Sequence, residues 1–285
     1  MIISVASGKG GTGKTTVAVN LALAVGDVQI VDCDVEEPNV HLFLQPVIQE
    51  KKQAGIPVPV INRDACTYCD VCRQVCAYNA LVVIPPKVNH MGTVVFYPEL
   101  CHGCGACTLF CPEKAITERN RDIGVIEIGE KAGMQFVQGK LNIGETMSPP
   151  LIRQVKKYIN KGKTVIIDAP PGTSCPVITA VKNSDYCLLV TEPTPFGLND
   201  LVLTVEVIRK LGIPFGVVIN RSTVGNNGVA QYCEKEGIPV LMSIPFERKI
   251  AEAYAQGIPV LQALPEYKEQ FQQLFEVIAS AMPGV

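Results

Sequence analysis

A glycine-rich segment near the start of the chain strongly restricts how the protein can fold. Residues 8–15, GKGGTGKT, fit the pattern G-x4-G-K-[S/T]. They follow a short apolar run at residues 1–7 and precede a helical pattern at residues 15–25. Such a loop lies between a buried strand and the N-terminus of a helix, where backbone amides converge on a phosphate. The sequence therefore predicts a nucleotide-binding strand–loop–helix unit.

Later apolar runs extend this pattern along most of the chain. Further strand-length runs lie at residues 28–34, 164–169, 186–191, 215–220 and 240–244. Helical patterns lie at residues 149–160, 198–211, 229–236 and 247–256. Uninterrupted apolar strands that alternate with helices are typical of a doubly wound, mostly parallel sheet. We therefore predict an α/β P-loop NTPase fold.

Eight of the twelve cysteines lie between the two parts of this pattern, in two runs that share the spacing C-x2-C-x2-C-x3-C. The runs are Cys66, Cys69, Cys72 and Cys76, then Cys101, Cys104, Cys107 and Cys111. In the bacterial ferredoxin pattern, three thiolates of a run bind one cluster and the fourth binds the other. The predicted sets are Cys66, Cys69, Cys72 and Cys111 for the first [4Fe-4S] cluster, and Cys101, Cys104, Cys107 and Cys76 for the second. Pro112 follows the last cysteine as the pattern expects, whereas Ala77 replaces the other proline.

Two other uses of cysteine fit these runs less well. Structural zinc sites take four ligands, commonly from two separated C-x2-C pairs. Disulfides are typical of secreted chains, and here an apolar strand is predicted from Met1 with no secretory leader before it. The expectation is two iron–sulfur clusters in a reducing, cytoplasmic environment.

The cysteine region is predicted to be a small inserted α+β domain. It is entered through the proline-bearing stretch at residues 55–62 and left near residues 121–124. The predicted domains are a first ATPase part at residues 1–60, a dicluster ferredoxin insert at 61–123 and a second ATPase part at 124–285. The formal charge is nearly balanced, with 25 basic and 27 acidic residues, so neither nucleic acid nor a membrane is expected as a partner.

Side chains at predicted strand ends complete the nucleotide site. Lys14 is predicted to reach the β- and γ-phosphates and Thr15 to bind Mg2+, with Thr16 near the α-phosphate. The loop residues expected to cradle phosphate are Gly10, Gly11, Thr12 and Gly13. Asp168 ends the apolar run VIID in the manner of a Walker B motif, and is expected to hold the Mg2+ through water.

The variant K-G-G-T-G-K-T, with its early Lys9, resembles the deviant P-loop of the MinD/ParA superfamily, which includes the nitrogenase iron protein and Mrp-type cluster carriers. The resemblance implies that Lys9 reaches the partner's phosphates across an ATP-dependent homodimer. Taken alone, Lys9 also suits a solvated loop position. The resemblance further implies that Asp34 orients or activates the attacking water. Asp32 supports Mg2+ or its waters, or alternatively caps the next segment.

The same resemblance implies roles for three further residues. Residues 169–173, APPGT, are similar to the family's switch II segment, in which Gly172 would donate its amide to the γ-phosphate. Asn220 matches the adenine-binding position, and Pro245 is expected to line the same pocket. An asparagine at a strand end is also a common turn residue, so both of these assignments have a plain structural alternative.

Two features outside the insert have competing interpretations. Cys175 lies seven residues after Asp168, where the nitrogenase iron protein places a cluster ligand, but a bridging cluster needs a second such cysteine in each subunit. A free thiol is therefore favoured. The apolar positions at residues 267–282 have helical spacing, and the few basic residues there favour packing on the domain over membrane anchoring.

The predicted function is an ATPase whose nucleotide state gates electron transfer through the two clusters toward an unidentified redox or metallocluster protein. The alternative is an ATP-dependent metallocluster assembly or delivery factor. A partitioning ATPase would require a basic DNA-binding surface or a basic membrane helix, and the charge pattern supports neither.

Overall fold

The computed structural model describes residues 1–88 and 90–282, which form two compact units. The large unit contains Met1–Lys52, Ile126–Lys140 and the described residues from Ile152 onward. The small unit contains Gln53–Val125 and Leu141–Leu151. These bounds differ from those of the predicted insert at residues 61–123. That residues 61–123 form a separate domain stays a prediction.

Strands and helices alternate along most of the chain. The first half contains β1 (Ile2–Ala6), α1 (Lys14–Val25), β2 (Val28–Asp32), α2 (Val40–Leu44), β3 (Val47–Ile61), α3 (Val71–Gln74), β4 (Leu81–Ile84), β5 (Thr93–Phe96), α4 (Ala106–Leu109), β6 (Ile116–Lys131) and β7 (Met134–Leu141). The second half contains α5 (Pro149–Val155), β8 (Thr164–Asp168), α6 (Cys175–Val181), β9 (Tyr186–Thr191), α7 (Pro195–Leu211), β10 (Phe215–Asn220), α8 (Gly228–Lys235), β11 (Val240–Ile244), α9 (Arg248–Ala255), α10 (Val260–Ala263) and α11 (Tyr267–Ser280).

The main sheet has the strand order β11-β10-β9-β1-β8-β2-β7-β6-β3. From β11 to β7 every neighbouring pair is parallel. In the register of β2 and β8, Asp32 lies beside Asp168, and Val5 of β1 lies on the other side of Asp168. The carboxyl ends of β1, β2 and β8 therefore meet at one edge, where open α/β sheets bind their ligands. The predicted P-loop α/β fold is confirmed.

The core of the large unit forms around α1. This helix is apolar on nearly every side, and its residues Val17, Leu21 and Ala22 are fully buried. Phe271 and Ile278 of α11 belong to the same hydrophobic cluster. The C-terminal helix thus packs on the domain, as predicted. Burial of this kind supplies most of a helix's stability, since propensity alone contributes little.

The two stretches predicted to enter and leave the insert lie largely within strands. The stretch at residues 55–62 lies mostly within β3, and residues 121–124 lie within β6. Pro57 and Pro59 lie within β3 although proline cannot donate a ladder hydrogen bond. An edge strand tolerates this loss, and β3 is at the edge of the sheet. Strands β3, β6 and β7, the helices α2, α6 and α10, and the individual elements α3, α4, β4 and β5 were not predicted.

The small unit carries both cysteine runs on short elements. The helices α3 and α4 each begin after a residue with left-handed backbone, Asp70 (φ 68°) and Gly105 (φ 75°). Strands β4 and β5 form an antiparallel pair, with Leu81 opposite Phe96. The two runs therefore repeat in local structure as well as in spacing. Among the helices of residues 1–88 and 90–282, none is long and apolar enough to cross a membrane.

Candidate functional site

The phosphate loop has the backbone that its glycines permit. Gly11 (φ 80°) and Gly13 (φ 92°) adopt left-handed conformations, and Gly13 is the residue from which α1 starts. A Cβ atom at Gly13 would lie 2.3 Å from Nδ2 of Asn220, so a larger residue has no room there. The loop directs the N-terminus of α1 toward a cleft with about 1110 Å³ of empty space, part of it open to solvent.

Polar side chains converge at the phosphate end of this cleft. The Lys14 ammonium lies 2.7 Å from Oδ1 of Asp168 and 3.5 Å from Oδ2 of Asp34. The Thr15 hydroxyl donates to Oδ2 of Asp168 at 2.7 Å. Burial alone would lower the pKa of Lys14, but Asp168 and Asp34 reverse that effect and raise it. A lysine, a hydroxyl and carboxylates form the donor set that a magnesium-bound triphosphate requires.

The Asp34 carboxyl group is partly buried, and its pKa lies above the usual range of an aspartate. Burial raises this pKa to about 6, with Asp168 adding to the increase and Lys14 opposing it. The Asp34 side chain lines the cleft. A carboxylate with a pKa near the working pH is suited to general base catalysis.

The Asp32 side chain caps the segment that follows β2, which is one of the two roles predicted for it. One carboxylate oxygen accepts the amide of Asp34 at 3.0 Å, and the other accepts the amides of Asn39 and Val40 at 3.0 and 3.1 Å. The side chain is fully buried, and burial together with Asp168 raises its pKa. Asp32 thereby holds the loop that carries Asp34, whereas its support of Mg2+ stays a prediction.

The switch II glycine makes a different contact from the predicted one. The amide of Gly172 donates to the carbonyl oxygen of Ser7 at 2.9 Å, so in this conformation it bonds to the residue before the phosphate loop. The neighbouring Pro171 lines the cleft. Thr12, another predicted phosphate contact, is buried and does not line the cleft, unlike Gly10, Gly11 and Thr16.

The cleft is also lined by residues from β10 and from the segment that includes α9. Asn220 and Pro245 both line the cleft, and their role in binding the base stays a prediction. The amide nitrogen of Asn220 also donates to the carbonyl oxygen of Thr12 at 2.8 Å. Sequence reasoning missed several other residues that line the cleft: Glu37, Asn39, Phe246, Glu247, Ile250, Ala251 and Tyr254. The helical pattern at 247–256 could have pointed to some of these residues, because one face of α9 borders the cleft.

Lys9 lies at the rim of the same cleft, with about a third of its side chain exposed. Its ammonium group is 3.8 Å from Oε2 of Glu192. The other oxygen of Glu192 accepts a hydrogen bond from Arg221 at 2.6 Å. Sequence reasoning missed Glu192, which follows β9 without any recognisable motif.

The eight cysteines of the small unit are arranged around two cavities. One cavity is bordered by Cys66, Cys69, Cys72 and Cys111. The other is bordered by Cys76, Cys101, Cys104 and Cys107. The cavities contain about 370 and 400 Å³ of empty space, part of it open to solvent. The structure thus brings together the two predicted sets, each with one cysteine from the other run.

Backbone amides are directed at the crossing cysteines. The amide of Ala80 donates to Sγ of Cys76 at 3.2 Å, and that of Ala115 to Sγ of Cys111 at 3.3 Å. Such bonds stabilise metal-bound sulfur. Across the described parts of the chain, His, Cys, Asp and Glu residues form no group of three or more that could hold a metal ion. The binding of clusters and of Mg2+ therefore stays a prediction.

The four remaining cysteines are separate from these cavities. Cys175 is exposed in the first turn of α6, whereas Cys33, Cys187 and Cys233 are buried. Burial raises the pKa of Cys187 to about 12 and that of Cys233 to about 11, so both remain thiols at neutral pH. Of these four thiols, Cys175 is the exposed one, and its role as a cluster ligand stays untested.

The family described as "CbiA: CobQ/CobB/MinD/ParA nucleotide binding domain" matches residues 3–260. The chain belongs to this family. The match covers the small unit and most of the large unit, so the MinD/ParA family predicted from the phosphate loop is confirmed. Membership also establishes the nucleotide-binding ATPase fold for this chain.

Relatives within the MinD/ParA family include proteins of similar length. The protein MJ0579 of Methanocaldococcus jannaschii is 32% identical over 270 residues, which cover 90% of this chain and 90% of that protein. A protein of Pyrococcus horikoshii named iron-sulfur cluster carrier protein is 27% identical, covering 91% of this chain and 78% of its own length. The corresponding carrier of Escherichia coli is 24% identical and covers 99% of this chain.

Solved MinD structures share the fold. The septum site-determining protein MinD of Pyrococcus horikoshii, solved with Mg-ADP, has a TM-score of 0.60 at 22% identity, covering 98% of this chain and 96% of its own. The cell division ATPase MinD of Pyrococcus furiosus has a TM-score of 0.59 at 22% identity, covering 98% of both chains. At this identity the likeness establishes the MinD/ParA fold alone.

Proposed function

We propose that this MinD/ParA-family protein is an ATP-hydrolysing iron–sulfur protein, in which nucleotide state and homodimer closure control electron transfer through two [4Fe-4S] clusters. The observation that carries the proposal is the pair of four-thiol cavities in a chain that also has a complete phosphate loop. Each cavity combines three thiols of one run with the fourth of the other, as dicluster ferredoxins require. When bound, the clusters supply low-potential one-electron chemistry.

The phosphate end of the cleft supports hydrolysis. The Thr15 hydroxyl and the Asp168 carboxylate would hold Mg2+, which neutralises charge on the β- and γ-phosphates when bound. Lys14 exchanges its contact with Asp168 for the phosphate oxygens. Asp34 accepts a proton from the attacking water, which its raised pKa of about 6 permits at neutral pH. Lys9 extends from the rim to the phosphates of a second copy, a role comparable to that of an arginine finger.

The chain itself connects the two kinds of chemistry. The loop that contains Asp34 continues through α2 into β3, and residues from Gln53 onward belong to the small unit. Movement of that loop on nucleotide binding would therefore act on one of the segments that enters the small unit. A covalent connection this short supports mechanical coupling between hydrolysis and the clusters.

The test is to measure reduction of the anaerobically purified, reconstituted protein. Reduction potentials and electron-transfer rates are recorded without nucleotide, with ADP and with a non-hydrolysable ATP analogue, in the presence of Mg2+. The proposal expects the analogue to shift a potential or a rate, and Lys14→Ala to remove the shift while the iron content is kept. Nucleotide-independent potentials, rates and partner affinity would refute the coupling.

A second candidate is an ATP-dependent iron–sulfur carrier. The names of the Pyrococcus and Escherichia relatives favour it, as do the exposed positions of Cys69 and Cys104, where an acceptor thiol can approach. Incubation of the 55Fe-labelled protein with an apo-ferredoxin distinguishes the candidates. Transfer that depends on ATP supports the carrier, whereas iron that stays with the protein through many turnovers supports electron transfer.

A further inference from the structure

The Thr108 hydroxyl is buried in the small unit and lacks a hydrogen-bond partner. Thr108 follows Cys107 within the short helix α4. Its Oγ1 atom is closed off from solvent and makes no hydrogen bond with any residue that the structure describes. The backbone of Thr108 is paired, since its amide donates to the carbonyl oxygen of Gly105 at 3.1 Å. Folded proteins seldom leave a buried hydroxyl unpaired, so the Thr108 side chain needs an acceptor.

The sulfur of Cys107 is the acceptor within reach of this hydroxyl. Burial raises the pKa of the Cys107 thiol, and the hydroxyl and amide of Thr108 both oppose that rise, so the hydroxyl lies close to the sulfur. A thiol is a weak acceptor and leaves the hydroxyl unsatisfied. A metal-bound thiolate has the negative charge that makes a strong, charge-assisted hydrogen bond. The Thr108 hydroxyl therefore gains its partner when Cys107 binds a cluster.

The first cysteine run has an arginine at the matching position. Arg73 follows Cys72 as Thr108 follows Cys107, and the amide of Arg73 likewise opposes the rise that burial causes in the pKa of Cys72. The Arg73 guanidinium instead donates to both carboxylate oxygens of Asp70, at 2.7 and 2.5 Å, and about half of its side chain is exposed. An exposed ion pair of this kind is screened by water and acts weakly on a nearby charge. The buried hydroxyl is therefore the difference between the two runs at this position.

We propose that the Thr108 hydroxyl donates to the metal-bound sulfur of Cys107 and makes the second cluster the first of the two to be reduced. The inference rests on the proposed function, in which both cavities bind [4Fe-4S] clusters. Each cluster accepts one electron from a low-potential, one-electron donor, and the added negative charge is shared with its cysteine sulfurs. A hydrogen bond to such a sulfur stabilises the reduced state more than the oxidised state and raises the reduction potential. An electron that enters the small unit therefore rests on the second cluster, and the first cluster is the stronger reductant.

The experiment compares three variants of the full-length, cluster-loaded protein without nucleotide. Thr108→Val removes the hydroxyl and keeps the shape of the side chain, Thr108→Ser keeps the hydroxyl, and Thr117→Val is the control. Thr117 is exposed on β6 and borders neither of the two cavities. The proteins are titrated anaerobically with titanium(III) citrate, and each reduction step is followed by EPR. We expect Thr108→Val to make the second cluster about tenfold harder to reduce, a shift of about 59 mV for one electron, because it loses a hydrogen bond to a charged acceptor.

The two controls and a cysteine variant identify the cluster responsible. Thr108→Ser and Thr117→Val should match the wild type, and the step that moves in Thr108→Val should be the one at higher potential. The same shift should occur in the Cys111→Ser background, which lacks a ligand of the first cluster. If Thr108→Val keeps about eight irons and moves neither step, only the lower step or both steps equally, the hydroxyl does not set the order of reduction. If the shift occurs while the potentials ignore nucleotide, this inference stands and the proposed coupling fails, whereas a protein that binds no clusters refutes both.

Discussion

The side-chain amide of Asn220 donates a hydrogen bond to the carbonyl oxygen of Thr12 at 2.8 Å, so the end of β10 is tied to the phosphate loop. The Asn220 oxygen also accepts the amide of Arg221 at 3.0 Å. Both ends of the Asn220 amide are thus engaged within the protein. This residue ties the end of β10 to the phosphate loop, and the predicted contact with adenine would be additional.

The first prediction follows from this packing. Gly13→Ala should lower the free energy of unfolding by about 2 kcal/mol, because alanine is strained at a φ of 92° and its Cβ would meet the Asn220 amide. Gly10→Ala is the matched control, since nothing lies within 4 Å of its Cβ position. Urea unfolding without nucleotide measures both. Equal stability of the two variants would show that Asn220 and the loop readily move apart.

The second prediction concerns the pH dependence of ATP hydrolysis. Asp34 must be ionised to accept a proton, and its pKa is raised to about 6. The kcat/KM for MgATP, which reports ionisations of the free enzyme, should therefore fall as pH drops below about 6, approaching a tenfold loss for each further pH unit. Asp34→Asn should be slow at every pH. A wild-type kcat/KM that is constant between pH 5 and 7 would exclude Asp34 as the base.

The third prediction concerns acid stability through Glu127, a buried residue of β6. Burial alone would raise its pKa, but hydrogen bonds from Lys51, Gln138 and Lys140 lower it to about 2. Because the folded pKa lies below the ordinary value of 4.5, Glu127 stabilises the fold above about pH 4.5. This contribution, about 3 kcal/mol, should be lost as pH falls toward 2.

Chemical unfolding of Glu127→Gln over this pH range provides the test. Compared with wild type, the variant should be less stable at pH 7 and should lose less stability on acidification. Glu130→Gln is the control, because Glu130 is exposed on the same strand. All three proteins are measured in identical buffers, so an effect of acid on the clusters is common to all three and drops out of the comparison. Parallel pH curves for wild type and Glu127→Gln would contradict the assignment.

The fourth prediction concerns how much iron each of the two cavities binds. Cys111→Ser should remove the cluster bordered by Cys66, Cys69 and Cys72, so that iron falls from about eight to about four atoms per chain. The cluster of the second cavity should persist and give an uncoupled EPR signal on reduction. Cys175→Ser should leave the iron count unchanged. Loss of iron in the Cys175 variant would instead support a third cluster.

Local patterns predicted much of the large unit. Strands β9, β10 and β11 have the predicted bounds, because short, fully buried strands of a parallel sheet are continuous apolar runs. The same reasoning failed for β3 and β6. Charged residues and prolines occur along these longer strands, and whether they suit a strand depends on its neighbours and on its position in the sheet.

The candidate site also has features that local sequence predicts and features that depend on tertiary structure. The sequence by itself determined the phosphate loop, the Walker B aspartate and the repeated cysteine spacing, because each depends on residues close together in the chain. Tertiary structure decided that Asp32 caps the loop of Asp34, that α9 borders the cleft and that Glu192 lies between Lys9 and Arg221. These contacts join residues far apart in sequence. They depend on strand order and register, which bring separate strand ends to one edge of the sheet and which no local pattern specifies.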